Sequence, residues 1–285
     1  SSSILPAPQS GHNVHTAAIS QHPRQHDRGE HTMTITATAK APIDDTAWRD
    51  PQLAAKYLEG VRGAVPFAEE QFDVMRRLIA ASGVPMRSFL DIGCGAGAVG
   101  SALLARWPEA RGVFVDFSPK MIEEARKNLG HLGDRVRIIE LDYGEPAWVE
   151  TVRADAPFSA IVSGYSIHHQ THERKREIYR EIFGLLAPGA FFVNIEHVAS
   201  ATPWLSARFD DRFIDALYTF ESGRGGGRTR EQIADEYYHR DDKQANILAP
   251  VEQQCEWLRA IGFEDVDCYF KHFELGVFGG RKPAD

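Results

Sequence analysis

Three glycines at alternate positions follow an acid in this 285-residue chain: residues 91–97 read Asp-Ile-Gly-Cys-Gly-Ala-Gly. This loop comes directly after the apolar run 88–90, so it lies at the carboxyl end of a predicted strand. Glycines in this pattern let the backbone approach a ligand closely or turn through positive φ. A second acid, Asp116, ends the next apolar run, 112–115. This succession of strand, glycine loop, helix, strand and acid predicts a nucleotide-binding βαβ unit.

The charge beside the glycine loop decides between two kinds of nucleotide. Residues 95–100 also fit the dinucleotide fingerprint G-x-G-x-x-G. A dinucleotide places its pyrophosphate at the amino end of the following helix, where Asp91 would add like charge. An acid here suits a ligand with a cationic group, such as the ammonium of an amino acid. S-adenosylmethionine carries that ammonium and a cationic sulfonium, and it has no phosphate.

Five motifs in order resemble those of the class I S-adenosylmethionine-dependent methyltransferases. Residues 91–97 match the D/E-x-G-x-G-x-G loop of that family at every position. The other four motifs lie at 115–121, 141–143, 161–169 and 185–190. The resemblance covers roughly residues 85–198, and the closing strands predicted at 263–280 are consistent with it. It implies an S-adenosylmethionine cofactor and transfer of its methyl group.

The resemblance also assigns roles to side chains around the glycine loop. It implies that Asp116 accepts hydrogen bonds from both ribose hydroxyls, which is a charge-assisted bidentate contact. Helix capping is the alternative role for this acid. Phe117 and Met121 are expected to pack on the adenine ring, although plain core packing also explains Met121, and Asp142 is expected to contact the adenine amino group. The cofactor-binding residues predicted in this way are Asp91, Gly93, Gly95, Gly97, Asp116, Phe117, Met121, Asp142, Tyr143, Ser163 and His168.

Side chains that can take up a proton follow the fourth and fifth predicted strands. Methyl transfer is an in-line displacement, and a hydroxyl or ammonium acceptor must also lose a proton. His169 follows strand four, and Glu196 and His197 end strand five. These three are the predicted catalytic residues, the last two acting together as a carboxylate–imidazole pair. A purely structural hydrogen bond is the alternative role for each of them.

The polar segment 199–248 is predicted to be a helical insert that covers the acceptor. Its run 222–228, Ser-Gly-Arg-Gly-Gly-Gly-Arg, is typical of a flexible connection, and an RNA-binding segment is the alternative. An aromatic and basic lid suits a small planar or anionic acceptor, although surface packing of a helical insert explains the same residues. The predicted acceptor contacts are Tyr165, Trp204, Arg208, Tyr237 and Tyr238.

The alternation of strand and helix patterns predicts an α/β fold. We expect a Rossmann-like, mostly parallel sheet with an antiparallel C-terminal hairpin and helices on both faces. N-terminal helices and the insert are expected to form a lid. Strands are predicted at 88–91, 112–116, 135–141, 158–163, 190–196, 263–269 and 274–280, with a turn at 188–189.

The chain divides into four parts by composition. Residues 1–45 are predicted to be a disordered tail, or to include a leader before a natural start at Met33. The other predicted parts are lid helices at 46–82, the cofactor-binding methyltransferase domain at 83–198 and 249–285, and the insert at 199–248.

Composition argues against several classes of partner. The net charge of −8 argues against a large nucleic-acid footprint, and no apolar run approaches the ~20 residues of a membrane span. Cys94, Cys255 and Cys268 have no paired spacing, which predicts a reduced, cytoplasmic protein without a metal site. The sequence leaves the oligomeric state open.

Missing subtype signatures favour a small-molecule acceptor. The Asn-Pro-Pro-Tyr signature of amino-group nucleic-acid methyltransferases is absent after strand four, where residues 163–166 read Ser-Gly-Tyr-Ser. The preferred interpretation is a methyltransferase acting on an O, N or S atom of a small molecule. One alternative is a non-methylating enzyme such as a carboxy-S-adenosylmethionine synthase, which residues 64–70 loosely resemble. A macromolecular methyltransferase, or a binding protein that has lost catalysis, is the other.

Overall fold

The structure, a computed structural model, describes residues 50, 52, 62–240, 243 and 245–284. The predicted tail at 1–45 and residues 46–61 of the predicted lid helices therefore lie outside the described residues, apart from positions 50 and 52. In the described part, the strands are β1 (Ser88–Ile92), β2 (Arg111–Asp116), β3 (Val136–Glu140), β4 (Phe158–Gly164), β5 (Leu186–His197), β6 (Glu264–His272) and β7 (Leu275–Arg281). The α-helices are α1 (Ala68–Ala81), α2 (Ala98–Arg106), α3 (Pro119–Leu129), α4 (Trp148–Val152), α5 (His172–Leu185), α6 (Pro203–Gly223), α7 (Arg230–His239) and α8 (Val251–Ile261).

The seven strands form one sheet in the order β3-β2-β1-β4-β5-β7-β6. The first five strands in this order are parallel to one another, and β7 pairs antiparallel with both β5 and β6. The predicted α/β fold, with its mostly parallel sheet and antiparallel C-terminal hairpin, is confirmed. Strand order reverses beside β1 and β4, and open α/β sheets bind ligands at the carboxyl ends of the strands at such a point.

Alternate residues of β5 enter two different apolar cores, because successive side chains of a strand point to opposite faces. Phe192 packs into a core with residues of α5 and α8. Phe191, Val193 and Ile195 pack into a core on the other face, with residues of α1 and α2. Helices therefore cover both faces of the sheet, as predicted.

Two predicted turns differ from the structure. The turn predicted at 188–189 is an irregularity inside β5, where the pairing register with β4 shifts between Phe158 and Ala160. Gly189 there adopts a φ of +78°, which gives the strand its local bend. The hairpin that closes the sheet is also tighter than predicted, since β6 continues to His272 and β7 begins at Leu275.

The helices α6 and α7 lie in the described part of the predicted insert. They share an apolar cluster that includes Phe209, Phe213 and Tyr237. In the connection between the helices, Arg228 pairs with Glu221 and Glu236. The run that was predicted to be a flexible connection therefore ends in a side chain tied to both helices. No helix in the described part of the chain is long and apolar enough to cross a membrane.

Two glycine-to-alanine changes test how tightly the sheet packs. A Cβ at Gly112 would lie 2.5 Å from the Phe114 ring and 2.6 Å from the Phe89 ring. We expect Gly112→Ala to lower the free energy of unfolding by about 1–3 kcal/mol through overpacking. The matched control is Gly184→Ala in α5, where a Cβ meets nothing within 4 Å; we expect a gain of about 0.5–1 kcal/mol. Denaturant unfolding measures both, and equal stabilities would contradict this packing account.

Candidate active site

A cavity lies at the carboxyl ends of β1, β2 and β4, beside the point where strand order reverses. Its walls are the glycine loop, the residues after Asp116 and the segment that follows β4. The residues predicted for function that line this cavity are Gly93, Gly95, Asp116, Phe117, Met121, Tyr165 and His169. The lining also includes Ser166, which sequence reasoning missed, although its position directly after Tyr165 in the fourth motif was a usable signal.

The glycine loop forms one wall of the cavity because its backbone turns through left-handed conformations. Gly93, Gly95 and Gly97 have φ values of +63°, +53° and +86°, which residues with a Cβ atom rarely adopt. A Cβ on Gly93 would lie 1.8 Å from Oγ of Ser166 and 2.3 Å from its Cβ. Glycine at position 93 therefore lets the loops after β1 and β4 approach each other closely.

Asp116 ties the glycine loop to the end of β2. Its Oδ2 accepts a hydrogen bond from the Gly95 backbone N–H at 2.8 Å, and its Oδ1 accepts one from the Ser118 N–H at 2.9 Å. Burial raises the pKa of this carboxyl to about 6, although the backbone N–H groups act in the opposite direction. The Phe117 N–H is a third backbone donor to this carboxylate, which has about four acceptor sites, so Asp116 can still accept from a ligand.

Several predicted cofactor residues lie behind the cavity wall rather than on it. The Asp91 carboxylate accepts from the Gly100 N–H at 2.8 Å, in the first turn of α2, where a negative charge is favourable. The Ser163 hydroxyl donates to the Ile92 carbonyl at 2.8 Å and so joins β4 to β1.

The side chains of the third motif also have partners within the protein. The Tyr143 and Ser166 hydroxyls lie 2.6 Å apart. The Asp142 carboxylate accepts from the Gly144 N–H at 2.8 Å. Direct cofactor contact by Asp91, Gly97, Asp142, Tyr143, Ser163 and His168 stays a prediction.

The predicted pairing of Glu196 with the imidazole of His197 does not occur. Glu196 instead lies 2.6 Å from Nδ1 of His168, whereas Nε2 of His197 lies 2.8 Å from a carboxylate oxygen of Glu274. Neighbouring residues of β5 point to opposite faces of the sheet, which separates the two side chains. Glu196 is fully buried, and this burial raises its pKa to about 7. Only His169 of the three predicted catalytic residues lines the cavity.

The predicted acceptor contacts are spread over two regions. Tyr165 lines the cavity with a φ of +52°, and its hydroxyl donates to Oε1 of Gln71 in α1 at 2.7 Å. Tyr237 is buried in the insert, where its hydroxyl donates to Asp210 at 2.7 Å. The others lie on the insert outside the cavity lining: Trp204 (68% exposed), Arg208 (its guanidinium 5.9 Å from the Trp204 ring centroid) and Tyr238 (half-exposed).

The residues around the cavity fit S-adenosylmethionine. The left-handed glycine loop leaves the backbone open to close approach, and the Asp116 carboxylate retains acceptor capacity for a ligand hydroxyl. Phe117 and Met121 line the cavity near Asp116 and give it an apolar surface suited to an adenine ring.

Comparisons with known proteins agree with this geometry. Residues 89–189 match the family described as a methyltransferase domain. A carboxy-S-adenosyl-L-methionine synthase of Desulfotalea psychrophila is 24% identical over 226 residues, which cover 77% of this chain and 85% of that protein. A trans-aconitate 2-methyltransferase of Rhodopseudomonas palustris is 34% identical over 104 residues, 36% of either chain.

A solved structure of an O-methyltransferase family protein from Burkholderia thailandensis shares the fold. It has a TM-score of 0.50 and 17% identity over 81% of this chain, and the matched part spans 62% of that chain. Residues 89–189 therefore form a methyltransferase domain, and the fold agrees with the class I S-adenosylmethionine-dependent methyltransferases that the motifs resemble. It is an enzyme domain, and its cofactor is S-adenosylmethionine.

A substitution at Gly93 tests whether the glycine loop forms one wall of the cofactor site. We expect Gly93→Ala to weaken S-adenosylmethionine binding by about 10-fold or more, because the new Cβ collides with Ser166 and a positive φ is strained. Gly130→Ala is the matched control, since a Cβ there meets nothing within 4 Å. Titration calorimetry gives both affinities, and wild-type affinity in Gly93→Ala would refute the assignment of this wall.

The raised pKa of Asp116 predicts how cofactor affinity depends on pH. If Asp116 holds the ribose as predicted, the hydroxyls donate to the ionised carboxylate, so affinity should be full above its pKa of about 6 and fall as the pH drops through that value. When one proton competes with binding, cofactor affinity falls by at most about 10-fold per pH unit.

Asp116→Asn is the control for this pH dependence. It should bind S-adenosylmethionine about 10-fold or more weakly, since hydrogen bonds to a charged group are worth about 1.5–3 kcal/mol. Its affinity should also stay flat across the same pH window. A wild-type dissociation constant that does not change between about pH 7.5 and pH 5 would show that Asp116 does not hold the ribose.

Proposed function

We propose that this protein transfers the methyl group of S-adenosylmethionine to an O, N or S atom of a small molecule. Asp116 and the glycine loop would hold the cofactor, with Phe117 and Met121 against its adenine ring. When bound, the cofactor supplies an electrophilic methyl group on its sulfonium. His169 would accept the proton of a hydroxyl or ammonium acceptor.

One observation carries this proposal: His169 and Asp116 line the same cavity. A base that shares the cofactor's cavity is placed to meet an acceptor that enters beside the cofactor, as general base catalysis requires. Tyr165 and Ser166 also line the cavity, and their hydroxyls, each already in one hydrogen bond within the protein, can form another to a small polar molecule. The remaining acceleration would come from alignment of the reacting atoms.

A carboxy-S-adenosylmethionine synthase is the second candidate. The similarity to such an enzyme extends over 226 residues, well beyond the matched methyltransferase region at 89–189. That activity handles a carboxylated cofactor, for which a cation in the cavity would be a natural partner. Among the described residues that line the cavity, none is an arginine or a lysine, and this supports methyl transfer instead.

The two candidates differ in the cofactor species that the enzyme makes. Incubation with methyl-deuterated S-adenosylmethionine and a panel of small hydroxyl, amine and thiol compounds should yield S-adenosylhomocysteine and one deuterated product. Mass spectrometry detects both. A carboxylated cofactor extracted from the purified protein, with no S-adenosylhomocysteine formed from any compound, would favour the second candidate and contradict our proposal.

His169→Gln tests the proposed base. With a hydroxyl or ammonium acceptor, we expect methyl transfer to fall by about 10²–10⁴-fold, which is the range for loss of a general base. S-adenosylmethionine affinity should stay within about 3-fold, because Asp116 and the glycine loop are untouched. His131→Gln, at an exposed position, is the matched control. An unchanged rate in His169→Gln with such an acceptor would remove His169 from the mechanism.

A further inference from the structure

Lys175 is a buried lysine that neither the sequence motifs nor the proposed chemistry uses. It lies in the first half of α5 and is 1% exposed. Its ammonium donates to the carbonyls of His168 at 3.3 Å, of Gln170 at 2.6 Å and of Ile247. An ammonium has three N–H donors, so these three carbonyls account for all of them.

Two of the three carbonyls flank His169. The short 3₁₀ turn Ile167–His169 follows β4 and carries this cavity-lining residue. Because the His168 and Gln170 carbonyls both accept from one ammonium, the peptide unit before His169 and the peptide unit after Gln170 are fixed relative to α5. The direction in which the imidazole leaves the backbone is thereby fixed as well.

The third carbonyl connects this turn to the chain that returns from the insert. Ile247 accepts from Lys175, and its own N–H donates back to the His168 carbonyl at 3.0 Å. The next residue, Leu248, has its carbonyl 3.3 Å from Nε2 of His172. Lys175 is therefore the centre of a set of hydrogen bonds that joins α5, the histidine turn and the return segment 245–250.

A buried ammonium is a costly way to fill space. Removing the charge from water carries a large free-energy penalty, which an apolar side chain of the same length would avoid. Burial lowers the pKa of Lys175 to about 8, although the nearby Glu196 carboxylate acts in the opposite direction. The three hydrogen bonds to carbonyls offset part of this penalty. Together they fix the position of the turn Ile167–His169.

We propose that Lys175 is a positioning residue for His169. It holds the backbone on both sides of His169 so that the imidazole faces the cavity, and it links that turn to the return from the insert. The inference rests on the proposed function, because the position of His169 matters for methyl transfer through its contact with the acceptor.

The test compares Lys175→Met with Lys127→Met, which removes a half-exposed lysine of α3. Histidine side chains are labelled with ¹³C and ¹⁵N, and the His169 signals are assigned by their loss in His169→Gln. In Lys175→Met we expect the His169 imidazole signals to shift or broaden while those of the exposed His131 stay unchanged. Lys127→Met should leave both sets at their wild-type positions.

Affinity and rate give the second measurement. S-adenosylmethionine affinity of Lys175→Met should remain within about 3-fold of wild type, because the glycine loop and Asp116 are untouched. With an acceptor in hand, kcat should fall about 10-fold or more, since a displacement of about 1 Å can cost about 100-fold. If Lys175→Met does not fold, Lys175→Gln keeps two donors and should give intermediate shifts of the His169 signals.

The two proposals can fail separately. Wild-type His169 signals in folded Lys175→Met, or in Lys175→Gln where the first variant does not fold, would overturn the positioning role whatever the activity. Altered His169 signals would support that role even with no acceptor known. Altered signals together with an unaltered rate of methyl transfer would instead contradict the proposed role of His169.

Discussion

The hydrogen bond from the Gly95 N–H to the Asp116 carboxylate is the contact on which the site depends. It joins the loop after β1 to the end of β2, and the same carboxylate also holds the Ser118 N–H at the entrance to α3. A buried acid with this geometry fixes the glycine loop and retains capacity to accept hydroxyls. The pKa of Asp116 is raised because the carboxylate is buried in the cavity wall.

The sequence predicted the order and type of the elements because hydrophobic periodicity and glycine placement are local signals. The parallel sheet, the closing hairpin and the acids at the ends of β1 and β2 all follow from such signals. The start of β5 was not predictable, since a Pro-Gly pair normally marks a turn. Here residues 188–189 lie within a strand whose irregular register depends on pairing with β4 and on the fold around it.

The candidate site shows the same difference between local sequence signals and long-range contacts. Residues within motifs could be assigned to the cavity, and Asp116, Phe117 and His169 do line it. Partnerships between distant residues could not be predicted from spacing. Glu196 and His197 are adjacent in sequence, yet the pleat of β5 sends one to His168 and the other to Glu274. No sequence signal distinguished Lys175, because a lysine in a highly charged helix is expected to be solvent-exposed.

The most direct test of the account is a crystal structure of the protein with S-adenosylmethionine bound. We expect both ribose hydroxyls on Asp116, the amino-acid portion along the Gly93–Gly95 loop, and the sulfonium methyl group open to the side of the cavity that His169 lines. A cofactor bound away from Asp116, or a methyl group directed into the protein wall with no path to His169, would contradict it.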